Sequence, residues 1–177
     1  MKYFFSLCLI LFLGGCSVNA GMKPGRAKNK NYVSFFKDVG LMQYFIKPAK
    51  AEADGYVFEI DYTFREGEKA VNDSITVNFS LSSDKKSAAK VKKLILSGKE
   101  RKIIFDNPII IFKDREKNLI RYTTTFPNKK KKEFTELGDF HISVKTNKKN
   151  IVFRSKGFQK QIETLNFFLN PFNPEED

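Results

Sequence analysis

The chain of 177 residues carries 32 Lys and Arg against 20 Asp and Glu, a formal net charge of +12, with one His and two Cys, Cys8 and Cys16. A single histidine and two cysteines confined to the N-terminus leave no set of ligands for a zinc centre and no disulfide framework for the rest of the chain. The basic excess draws the protein towards anionic surroundings, and the length suits one domain with a self-sufficient core.

Met1 and Lys2 form a short positive start, and Tyr3 to Leu13 form an apolar run. A membrane-spanning helix needs about 20 apolar residues and a secretory core only about 7 to 15, so the run predicts a signal peptide over residues 1–15. The residues that follow, Leu13-Gly14-Gly15-Cys16, resemble the lipobox of bacterial lipoproteins. That resemblance implies cleavage before Cys16 and a diacylglyceryl group on its sulfur. Loss of residues 1–15 removes Lys2 and no acid, which takes the net charge from +12 to +11. No free thiol would remain, so stability has to come from the core. Ser17 is not the aspartate that retains enteric lipoproteins at the inner membrane, and the resemblance therefore favours the outer membrane. The expected address is the cell envelope, with a lipid anchor at Cys16.

Residues 16–31 read as the lipidated cysteine and a flexible tether rich in Gly, Asn and Lys without an aromatic ring. About 15 residues of random coil average roughly 20 Å end to end. Lys23, Arg26, Lys28 and Lys30 would lie near an anionic lipid surface. A single domain is expected over residues 32–177. Its first segment, "YVSFFKDV", reads as a short helix or irregular structure that Gly40 interrupts, and "YFIK" before Pro48 reads as the first strand.

From Tyr56 the period is two. Tyr56, Phe58, Ile60, Tyr62 and Phe64 alternate with Val57, Glu59, Asp61 and Thr63, and Ile75, Val77, Phe79 and Leu81 alternate with Ser74, Thr76, Asn78 and Ser80. Residues 120–126 and 140–146 behave alike. Residues 90–96, 102–105, 109–112 and 150–154 form further short apolar runs, separated by turn residues such as "SGKE" and "DNP". Alternation implies antiparallel pairing with one covered face. The expected architecture is an all-β antiparallel sandwich, immunoglobulin-like or transthyretin-like, of seven to nine strands, with a barrel as the competing closure. At the end, Phe158, Ile162, Leu165 and Leu169 recur at helical spacing, joined by Phe168. Ser155 or Gly157 starts this amphipathic helix and Pro171 stops it.

No motif names a reaction. His141 falls on the polar face of its strand with Ser143 and Lys145, in no nucleophile context. Glu59 and Asp61, about 7 Å apart along one strand, have the separation of a glycosidase pair, against which stands a solvated face with cross-strand lysines. No calcium loop, P-loop or dinucleotide fingerprint occurs, and no cofactor is implied. The lysines gather in turns, above all Lys129, Lys130, Lys131, Lys132, Lys148 and Lys149. If the fold brings these turns together they form candidate contacts for an anionic glycan, a lipid or an acidic partner. Otherwise they keep sheet edges soluble. Nucleic acid is disfavoured because the aromatic rings follow the core parity and are not interleaved with lysines. The resulting expectation is a non-enzymatic envelope lipoprotein docking onto a membrane-associated assembly of proteins, with a binder of anionic envelope polymers as the alternative.

Overall fold

A computed structural model describes residues 31–38, 40–67, 74–84, 89–127, 130 and 132–169. The expected signal peptide, Cys16 and the expected tether up to residue 30 lie outside these residues. Among them are ten strands: β1 (Tyr32–Asp38), β2 (Leu41–Ala53), β3 (Tyr56–Glu66), β4 (Ser74–Ser83), β5 (Val91–Ser97), β6 (Lys102–Asp106), β7 (Ile109–Asp114), β8 (Leu119–Pro127), β9 (His141–Thr146) and β10 (Asn150–Phe153). Two helices, α1 (Lys132–Thr135) and α2 (Lys156–Leu169), complete the set. One antiparallel sheet has the order β1-β2-β3-β4-β8-β7 and the other β10-β9-β5-β6. Two separate sheets with free edges make this an all-β sandwich and not a closed barrel.

The alternation of β3 and β4 does what its parity requires. Phe58, Ile60, Tyr62, Val77 and Phe79 are fully buried, while Glu59, Asp61, Thr76 and Asn78 face outwards. Each large apolar side chain so buried contributes about 1.5–3 kcal/mol. The four-stranded sheet covers one part of this inner face. Phe58 stacks on Phe153 of β10 with centroids 5.0 Å apart, and Tyr122 Oη on β8 accepts a hydrogen bond of 3.0 Å from Val91 N on β5. Helix α2 covers the part nearer β1, where Phe168 meets Tyr32 at 4.6 Å and Tyr44 at 4.4 Å. Phe134 of α1 fills the space between Tyr62 and Phe126, edge-on to both.

Two local expectations need correction. The count among the described residues is ten strands and not seven to nine, because residues 32–38, read as helical or irregular, form β1 on the edge of the larger sheet. Adjacent Phe35 and Phe36 break the alternation, so pairing with β2, not pattern, sets this strand. The "YFIK" strand is also far longer, running from Leu41 to Ala53 through Pro48. The ladder shifts register between Ile46 and Ala49, so Lys47 and Pro48 form a bulge that accommodates a residue without an N–H. Asp54 and Gly55 both have positive φ, 55° and 73°, and make the two-residue hairpin turn between β2 and β3.

The bulge creates the seat for α2. Gln161, 4% exposed, donates from Nε2 to Lys47 O at 2.7 Å and to Ile60 O at 2.8 Å. Both contacts are carbonyls, which fixes the amide orientation. Ser155 caps the helix, with its Oγ accepting from Gly157 N at 3.1 Å. At the β5–β6 turn a Cβ on Gly98 would lie 2.0 Å from Leu137 O, so only glycine lets the residue 132–140 connection lie against that turn.

Burial holds several tyrosines neutral. It pushes Tyr44 up to about 12, assisted by the neighbouring Glu66 carboxylate, and raises Tyr62 and Tyr122 as well. For an acid whose folded pKa is raised, the stabilisation is complete below the unfolded value of about 10 and is lost as pH climbs towards the folded one. Chemical denaturation should therefore show stability falling between pH 10 and pH 12. Tyr62→Phe, which deletes a buried hydroxyl without a partner among the described residues, should reduce that fall and cost no stability at neutral pH. Gln161→Leu strips two carbonyls of their donor and should cost about 2–4 kcal/mol in urea unfolding. A loss below about 0.5 kcal/mol would mean that the helix is held by its apolar stripe alone.

Candidate functional site

The outer face of the six-stranded sheet is polar in the middle. Asp61 accepts hydrogen bonds from Arg121 Nη2 and, at 3.0 Å, from Asn78 Nδ2, while Arg121 Nη1 reaches Ser80 Oγ at 3.2 Å. Glu59 pairs with Lys50 at 3.3 Å across the β2–β3 ladder. Each carboxylate is thus paired with a cation from another strand, Lys50 on the adjacent β2 and Arg121 on β8 beyond β4, and the two carboxyls do not converge on a cleft. The glycosidase geometry has no basis here.

His141 opens β9 on the face predicted for it. It borders an open groove of about 560 Å³ beside α2, with Asp139, Arg154, Gln159, Lys160 and Glu163 among the lining residues. Ser143, its neighbour on that face, is flanked in the ladder by Ile95 and Val152 and is buried, so it presents no accessible nucleophile. Among the described residues no group of three or more His, Cys, Asp or Glu is placed to hold a metal ion, and no helix is long and apolar enough to cross a membrane.

The described candidate lysines do not converge. Lys130 and Lys132 precede β9, whereas Lys148 and Lys149 follow it, so the strand, about 20 Å long at 3.3 Å per residue, separates them. Lys129 and Lys131 lie outside the described residues. At the first end Lys130 pairs with Glu133 at 3.8 Å, Lys132 with Glu136 at 3.9 Å, and Arg101 with Glu136. At the second, Lys149 meets Asp54 at 2.9 Å and lies 5.1 Å above the Tyr56 ring, which ties the β9–β10 turn to the β2–β3 turn. Lys90 belongs to this second end, where its carbonyl accepts from Asn147 N at 3.1 Å. Such surface pairs contribute about 0–1 kcal/mol each. Their arrangement is two small mixed-charge clusters and not one cationic surface.

An apolar corner is the feature that parity alone did not disclose. Strands β6 and β7 end the two sheets on the same side and are joined through Asn107 and Pro108. Asn107 adopts a φ of 47° and donates to Lys92 O at 2.7 Å, which sets the change of sheet. On β7 the register shifts between Ile110 and Phe112, so Ile111 is an extra residue without an opposite number on β8. Ile110 turns inwards. Ile109, 67% exposed, together with Ile111, Phe112 and Ile104 of β6, each more than half exposed, form an apolar rim along strands that no further strand pairs among the described residues. Residues 109–112 read in sequence as a continuous apolar run, the signature of a strand covered on both faces. The one available hint against burial is Pro108 immediately before it, since proline favours edge strands.

No family model, curated protein or solved structure matches this chain. The reading of the site therefore rests on its own geometry.

The network at the centre of the sheet makes a differential prediction. Asp61→Ala should lower unfolding free energy by about 1–2 kcal/mol because Arg121 and Asn78 lose a shared, largely buried acceptor. Glu59→Ala, facing the well-exposed Lys50, should stay within about 0.5 kcal/mol. Equal losses in urea titrations would show that Asp61 is no more than another surface charge.

Proposed function

We propose that the protein is a non-enzymatic, lipid-anchored lipoprotein of the cell envelope, carried on the outer membrane, whose sandwich docks onto a membrane-associated protein assembly through the β6–β7 edge. The observation that carries the docking part is the rim of Ile104, Ile109, Ile111 and Phe112 along the strands that end the two sheets among the described residues. An edge of this kind is an aggregation hazard when left open, and proteins ordinarily blunt it with charge, proline or a covering element. Retaining four large apolar side chains there makes sense if a partner covers them, either by adding a strand or by packing on the side chains. The anchoring part rests on the apolar leader and on Leu13-Gly14-Gly15-Cys16.

The alternative, an anionic polymer held by the lysine turns, draws less support from a fold that places Lys130 and Lys132 at the opposite end of β9 from Lys148 and Lys149. The test sets the two surfaces against each other in intact cells of the native host. A C-terminally tagged chain is cross-linked, solubilised and its partners identified. Ile109→Lys combined with Phe112→Glu should abolish recovery of a stoichiometric set of envelope proteins while thermal unfolding stays unchanged. Replacing Lys129 to Lys132 with glutamine should leave recovery intact. The reverse pattern, or glycolipid recovered alone and released by salt, would move the function to the lysines.

A further inference from the structure

The six-stranded sheet has a second exposed apolar region, on its opposite edge. Val33 and Phe35 of β1 and Phe45 of β2 are 36–42% exposed on the outer face. Val33 and Phe45 are ladder partners, and the Phe35 and Phe45 rings meet edge-on at 5.4 Å. Around the same edge strand, Phe167 of α2 is 71% exposed and contacts Phe168, whose ring in turn packs against Tyr32, the first residue of β1. We infer that this β1–β2 edge is the seat of the domain on the lipid surface that holds the acyl anchor. The inference rests on lipidation at Cys16, as proposed above.

What selects a lipid surface as the occupant is where the chain outside the structure ends. It joins the fold at Asn31, whose carbonyl accepts from Lys47 N at 2.9 Å, so the attachment point is fixed at β1 and β2. Residues 17–30 are all that separate it from Cys16, and a flexible segment of that length averages roughly 20 Å. The β7 edge, five strand spacings away, stands about 24 Å further off. An anchored chain therefore brings Phe35 and Phe45 to the interface before any other apolar surface. The charge has the matching sign. Lys37 and Lys47 are exposed on β1 and β2, and Arg65 follows Phe35 and Gln43 in the same cross-strand row. A polar recess of about 320 Å³ beside them, lined by Gln43, Thr63, Arg65, Ser74 and Thr76, presents a guanidinium, an amide and hydroxyls to a phosphate headgroup. Apolar rings flanked by cations are what an interfacial surface requires on an anionic leaflet.

One surface then faces lipid and the opposite one faces the assembly. The chain contains no tryptophan, so a single introduced indole reports only its own position. The full-length lipidated protein is reconstituted into vesicles of phosphatidylethanolamine and phosphatidylglycerol, with or without brominated acyl chains. Phe35→Trp, and separately Phe45→Trp, should shift its emission to the blue and lose most of it to the brominated lipid. Phe112→Trp should do neither. Equal quenching at Phe35→Trp and Phe112→Trp, or none at both β1–β2 reporters in protein that floats with the vesicles, overturns the seat and leaves the anchor standing. An indole at position 35 that is shielded equally without vesicles, in a cross-linkable dimer, assigns the face to a second copy and also overturns it. An N-terminal peptide without acyl mass, in protein that does not float, removes both readings at once.

Discussion

Pro48 has no N–H to give to the sheet, and much of the tertiary arrangement follows from that. The bulge it makes with Lys47 interrupts the β2–β3 ladder, and Gln161 of α2 donates to the carbonyls beside it, Lys47 O and Ile60 O. A buried carbonyl without a donor costs about 1–3 kcal/mol, so the amide ties the helix to one position along the sheet. That position lets Phe158 reach Phe58 and lets Phe168 close over Tyr32, Tyr44 and Phe64. The four-stranded sheet is too narrow to cover six strands. Helix α2 supplies the missing cover, and the bulge decides where it lies.

The covered face is continuous, but the opposite face is divided. Its centre holds Asp61, Arg121, Asn78 and Ser80 in one hydrogen-bonded group, with Glu59 and Lys50 beside it. Its two edges are apolar, at Phe35 and Phe45 on one side and at Ile109 and Phe112 on the other. A sheet that only needed to remain soluble would place its charges the other way, on the edges where pairing is a risk. The charged turns instead hold the sandwich to itself: Lys149 with Asp54 across the β9–β10 and β2–β3 turns, and Arg101 with Glu136 across the β5–β6 turn and the chain after α1.

Much of the strand content was legible because one face of each strand is buried and period two must then show, as in residues 56–64 and 74–81. The C-terminal helix was legible for the same reason at period 3.6, and of the two starts the sequence offered, Ser155 and Gly157, the structure makes Ser155 the cap. Residues 32–38 were not, because an edge strand half in contact with solvent needs no strict alternation, and Phe35 beside Phe36 conceals the little it has. Asp54-Gly55 is a hairpin signal in its own right, and it would have extended the first strand past Pro48 to Ala53. The β6–β7 edge was the least legible part. Three isoleucines and a phenylalanine in a row describe a doubly covered central strand as well as they describe a bulged edge strand, and only the sheet order separates these cases.

By itself, then, the sequence determined an apolar run from Tyr3 to Leu13, an alternating β domain and a closing amphipathic helix, since each depends on contacts within about ten residues. Tertiary structure decided which strands stand at the edges, that the lysine turns occupy opposite ends of β9, and that Glu59 and Asp61 meet cations instead of a cleft. Those facts depend on pairings between residues far apart in the chain, such as Asp61 with Arg121 and Lys149 with Asp54. Local periodicity is blind to them, because a residue's parity says which face it occupies and not what lies across from it.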